Sequence, residues 1–148
     1  MEVKKLKPEE IARIRRLGHQ FAEECNLFGG FNPEYFEPIW SDLMSRGMAE
    51  VFYVEKDNEL QAFLGAGFIA DIYSGLPAAN MQFWHIDPAY RKGSVAVRLF
   101  RAFEAEAEAR GCRKIFVGHK EAFHKDSMSA FFQRNGYVKG ETFYWRNK

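Results

Sequence analysis

The sequence has only two cysteines, Cys25 and Cys112, in 148 residues. That is too few for a disulfide framework or a set of thiolate ligands, and a reducing, cytoplasmic setting is expected. Long apolar runs are missing as well. The stretch poorest in charge, residues 60–82, is interrupted by Asp71, Gly65, Gly67, Gly75 and Pro77, and falls short of the roughly 20 apolar residues a membrane-spanning helix needs. Lys4, Lys5 and Lys7 lead straight into a charged segment without the apolar centre of a secretory signal. Proline is sparse at five residues, no segment repeats, and no Pro/Ser-rich linker divides the chain, so a single domain over 1–148 is expected. The four histidines, His19, His85, His119 and His124, have neither ligand spacing nor cysteine partners, and no metal site is expected.

What the sequence has in quantity is aromatic: 15 Phe, 6 Tyr and 3 Trp within a 47% apolar composition. That is enough to bury a core without cross-links and excludes a disordered chain. The net charge of +1 hides a split of +3 over residues 1–20, −9 over 21–90 and +7 over 91–148. Such asymmetry suits a charged ligand at one face, although a solvated surface would look the same. A nucleic-acid partner is not expected, because the overall charge is near zero and the aromatics of the basic part fall at core positions.

Hydrophobic spacing predicts an amphipathic helix over 8–25, with Ile11, Ile14, Phe21, Ala22 and Cys25 on one face. A second helix opens at Asn32 and Pro33, which suit an N-cap and a first turn, and ends at Gly47. The period then changes. Residues 50–55 and 60–73 read as a hairpin around the turn 56–59, and 80–86 as a third strand stopped by Pro88. A helix over 94–110, a short strand over 114–118, a helix over 127–135 and a final strand over 137–146 complete the order ααβββαβαβ. The strand–helix–strand passage from 80 to 118 is a parallel crossover and the hairpin before it is antiparallel, so the fold class is α/β (α+β) with a mixed central sheet flanked by helices.

The segment 86–99, Ile-Asp-Pro-Ala-Tyr-Arg-Lys-Gly-Ser-Val-Ala-Val-Arg-Leu, carries a strand through a tight basic loop directly into a helix. Free backbone N–H groups and the positive end of the helix dipole then face one point, a geometry that binds phosphate. Arg91 and Lys92 add charge, and Gly93, Ser94 and Ala96 let the backbone approach an anion closely. This segment resembles the signature of the GNAT superfamily of acyl-coenzyme A-dependent N-acyltransferases, Arg/Gln-x-x-Gly-x-Gly/Ala after a strand. Arg91 matches the first position, Ser94 replaces the first glycine and Ala96 fits the last. Residues 131–137, Phe-Phe-Gln-Arg-Asn-Gly-Tyr, are similar to the family's aromatic-x-x-x-Gly-aromatic segment. The resemblance covers residues 80–144 by motif and the first half by layout, and is nearest to small divergent members of phage and prophage genomes.

The resemblance implies acetyl-coenzyme A as co-substrate and an amine as acceptor. It implies that Arg91, Lys92, Gly93, Ser94, Val95 and Ala96 hold the pyrophosphate, and that backbone groups of Trp84, His85 and Ile86 pair with the pantetheine arm. Three departures bear on mechanism. Many relatives carry an asparagine that contacts the pantetheine arm, and Lys125 or Asp126 falls nearby instead. Many relatives carry a tyrosine that protonates the departing thiolate, and Phe132 stands there. The family's base is often a carboxylate on the strand before the loop, and residues 80–86 contain none. The bases at hand are His119, at the end of the next strand, and His85, with His124 and Asp126 in the following loop. His119 ranks slightly ahead of His85, and each could equally be an ordinary structural histidine. Nucleophilic thiol chemistry at Cys25 or Cys112 is not expected. The acidic stretch 21–90 points to a cationic acceptor: a protein lysine, a protein N-terminus or a small cationic amine. The rival reading is a non-catalytic module that keeps the fold and binds a host or partner protein.

Overall fold

Side chains at residues 51–54 alternate between the two faces of a sheet, and all four are buried. They lie in the second of five strands of the computed structural model, which describes residues 1–121 and 124–148. In chain order the elements are β1 (Lys4–Lys5), a 3-10 helix (Pro8–Ile14) running into α1 (Arg15–Glu24), α2 (Pro33–Ser45), β2 (Ala49–Lys56) and β3 (Glu59–Gly67). There follow β4 (Ala78–Ile86), a 3-10 turn (Pro88–Tyr90), α3 (Val95–Ala109), β5 (Lys114–Phe116) and α4 (Lys125–Arg134). Spatial order equals chain order, antiparallel from β1 to β4 and parallel between β4 and β5. This is the mixed sheet predicted from the sequence.

The alternation along β2 sorts the core into two layers. Val51 and Tyr53 pack with Ile14, Leu17, Met44 and Phe63 on the α1/α2 face. Phe52 and Val54 pack with Leu64, Leu99, Phe100, Phe103 and Phe132 on the α3/α4 face. Asp57 and Asn58, both left-handed at φ 52 and 64, make the two-residue turn that joins β2 to β3.

The structure corrects three expectations. The N-terminal helix begins as a 3-10 segment, and the short β1 precedes it. The second hairpin strand stops at Gly67, because Asp71 folds the chain into a turn by accepting from the backbone N–H and hydroxyl of Ser74 at 3.0 and 2.6 Å. The strand predicted over 137–146 does not form. Tyr137 is drawn to α3, its hydroxyl donating to Glu104 at 3.0 Å and its ring packing on Phe100. The three-residue β5 leaves little edge for another strand to join.

Candidate active site

Gly65 of β3 lies opposite Phe83 and Ala66 opposite Met81, so Gln82 is the extra residue of a bulge that bends β4. Glycine is required at 65: a Cβ there would stand 2.0 Å from the Phe83 ring. Parallel pairing with β5 is confined to residues 78–80 against 114–116. Beyond Asn80 the two strands part, and β4 runs on to Ile86 past its last pair with β5. The parting opens a cavity of about 490 Å³. Met81, Trp84, His85 and Ile86 form its β4 wall, Gly118, His119 and Lys120 the opposite wall, and Phe21 and Cys25 the α1 side.

The loop at the end of β4 leads directly into α3. Asp87 accepts from the Ala89 N–H at 3.0 Å and sets the 3-10 turn. Gly93, at φ +106, then turns the chain into α3. Ser94 is the N-cap, but its hydroxyl accepts from Arg98 Nε at 3.1 Å and its side chain gives the first N–H groups of α3 no cap. Arg91 donates from Nε to the Ile86 carbonyl at 2.9 Å and pairs through Nη2 with Glu24. Arg91 and Ala96 line the cavity. Lys92, Gly93 and Ser94 are exposed beside it, and the Val95 side chain turns into the core, leaving its backbone as the part that could serve.

His85 is 2% exposed, with Nε2 2.8 Å from Oε1 of Gln20. An amide oxygen only accepts, so Nε2 carries the hydrogen and Nδ1 is left as an acceptor, without a partner among the described residues. Burial pulls the His85 pKa down from 6.5 to about 4, against the pull of Glu24 in the other direction. His119 and His124 are exposed and border the same cavity from across the split. The structure thus brings His85 and His119 to one space. Phe132 is buried in an aromatic cluster with Phe100, Trp84 and Tyr137.

Residues 17–137 match the model of the acetyltransferase (GNAT) family. The chain belongs to that family. By that membership it is an acetyltransferase, and the split sheet and the loop at 91–96 are its candidate active site. No curated protein sequence matches it. Its fold is similar to that of a ribosomal-protein-alanine N-acetyltransferase from Brucella melitensis biovar Abortus 2308, at 15% identity and TM-score 0.74 over 99% of this chain and 100% of that one. An aminoglycoside acetyltransferase from an uncultured soil metagenomic sample is similar at 19% identity and TM-score 0.77, over 99% and 97% of the two chains. A predicted acetyltransferase from Clostridium acetobutylicum, solved with acetyl-coenzyme A, is similar at 12% identity and TM-score 0.80, over 99% and 95%. At these identities the likeness is one of fold.

Sequence reasoning missed one feature of this acetyltransferase. Arg16, Gln20 and Glu24, one helical turn apart on α1, each grip the end of β4 or its loop. Arg16 pairs with Asp87 at 2.7 Å, Gln20 holds His85, and Glu24 holds Arg91. A polar stripe at four-residue spacing was the available signal. Cys25 follows the stripe and lines the cavity, where burial raises its thiol pKa and Lys120 only partly opposes the rise. Such a thiol stays protonated.

Proposed function

We propose that this acetyltransferase moves an acetyl group from acetyl-coenzyme A to an amine, by direct attack with both substrates held together. The observation that carries the reading is the cavity where β4 leaves β5, with an uncapped helix start and a positive-φ glycine at its end. The chain's groups fit the coenzyme. Arg91 and Lys92 supply charge for the pyrophosphate, the N–H groups of Gly93, Ser94, Val95 and Ala96 supply donors, and the stretch of β4 at Trp84, His85 and Ile86, past its pairing with β5, suits the amide-bearing pantetheine arm. Acetyl-coenzyme A, when bound, supplies the acetyl group as a thioester.

The remaining requirement is a neutral amine. At pH 7 deprotonating a lysine-like amine of pKa ~10.4 costs roughly 4.6 kcal/mol, and an α-amine near ~7.8 about 1. His119 and His85, both bordering the cavity, are the proposed proton acceptors. The acceptor is proposed to be cationic, a protein lysine, a protein N-terminus or a small amine, because residues 21–90 carry a net −9 and include the α1 wall. The reaction is proposed to run in the cytoplasm, with residues 1–148 acting as one unit.

Two observations favour a non-catalytic binding module instead: Phe132 is a buried hydrocarbon, and β4 carries no carboxylate. Thiol release from acetyl-coenzyme A across a panel of amines and peptides separates the two. Release with at least one amine supports the enzyme reading, and coenzyme binding without release under any acceptor would favour the module.

A further inference from the structure

We propose that the indole N–H of Trp84 is the hydrogen-bond donor to the coenzyme sulfur, filling the part that Phe132 cannot play. The proposal rests on the coenzyme reading above. Two buried side-chain polar atoms lack partners among the described residues, Trp84 Nε1 and His85 Nδ1. They sit on successive residues of β4, so their side chains leave on opposite faces of the strand. Both residues line the cavity, but the Trp84 Nε1 and His85 Nδ1 atoms are themselves closed to solvent, so the indole N–H meets a ligand only when its ring turns toward the cavity. His85 turns toward α1, against Gln20 and Phe21. Trp84 turns toward α3 and α4, stacked on Phe100 at 5.5 Å and 6.4 Å from Phe132.

An indole N–H can only donate, and His85 Nδ1, with its hydrogen fixed on Nε2 by Gln20, can only accept. A buried donor without a partner is costly, and folded proteins keep few of them. The rings packed around Trp84 are hydrocarbon and offer it no acceptor oxygen. Acyl transfer to an amine needs one group of each kind, on opposite sides of the reacting carbon. The N–C bond forms as the C–S bond breaks, the sulfur keeps the electron pair, and the surplus proton on nitrogen passes to His85 Nδ1 or His119. Trp84 transfers no proton; its hydrogen bond strengthens as charge gathers on sulfur, which is the interaction that accelerates a reaction rather than merely binding its substrate. The sulfur takes its proton from solvent after release.

With ¹⁵N-labelled tryptophan the protein gives three indole signals, from Trp40, Trp84 and Trp145, and Trp84→Phe assigns the one in question. Coenzyme A should move the Trp84 signal downfield, and the dethio analogue should leave it near its free position. Movement that is the same with both ligands, or absent while the melting temperature rises, overturns the proposal and leaves the coenzyme reading intact; no binding of either ligand overturns both. Trp84→Phe should also lower kcat about tenfold or more with KM for acetyl-coenzyme A little changed. Adding Phe132→Tyr to that variant should recover part of the loss by supplying a phenol. Unchanged kcat in Trp84→Phe overturns the proposal, and should that variant not fold, the wild-type comparison of the two ligands still decides.

Discussion

His85 takes a proton less readily in the folded chain than out of it, and the sign of the consequence follows directly. Its pKa falls from 6.5 to about 4 through burial, with Glu24 and Asp87 pulling it up and Arg91 and Arg16 pushing it down. The stability gained by keeping it neutral is fully present above pH 6.5 and is lost as pH falls toward 4, by roughly 3 kcal/mol. The stability difference between wild type and His85→Asn should therefore shrink over that window in paired thermal melts. A constant difference from pH 7 to pH 4 would mean the ring is not held neutral. The catalytic proposal is separable. His119→Ala should cut the maximal rate on an amine of high pKa by about tenfold or more while leaving coenzyme affinity alone. If neither it nor His85→Ala slows turnover, substrate or water is the only base.

The loop between β4 and α3 makes a larger-scale prediction. Coenzyme A at ~100 times its dissociation constant should stabilise the protein by about 2.7 kcal/mol, a melting rise on the order of 5 to 10 °C. Ala96→Asp should abolish that rise by setting a carboxylate against the pyrophosphate, with the unliganded melt little altered. Gly65→Ala should do the opposite, lowering stability by about 1–3 kcal/mol as Phe83 is pushed off β3, with an intact loop. The loop is legible in the sequence because its parts are neighbours: strand, basic pair, glycine and helix start lie within a dozen residues. The α1 stripe is not, since Gln20 and Glu24 acquire meaning only from partners 65 and 67 residues away. Nor is the fate of residues 137–146. Alternation tells which residues could form a strand, but a strand also needs an edge to pair with, and the Tyr137 contact with α3 leads the chain elsewhere.

The charge split along the chain acquires a different look once folded. Glu24 with Arg91, Glu50 with Arg110 and Asp71 with Lys114 join the acidic segment to the basic one, so part of each field is spent inside the fold. What is left of the acidic field should still draw a cationic acceptor, and its Michaelis constant should rise between ~20 and ~300 mM salt as screening grows. A salt-independent constant, or a panel in which acidic amines outperform basic ones, would reduce the asymmetry to surface decoration. The short register between β4 and β5 reaches further than the cavity it opens. Among the described residues, three on each strand pair β5 into the sheet, so amides at 114–116 should exchange with deuterated solvent well before those of the long β2–β3 ladder. A ligand that bridges the split would tie the strands from both sides and slow that exchange, and its isotopic footprint would rank coenzymes and acceptors alike without waiting for turnover.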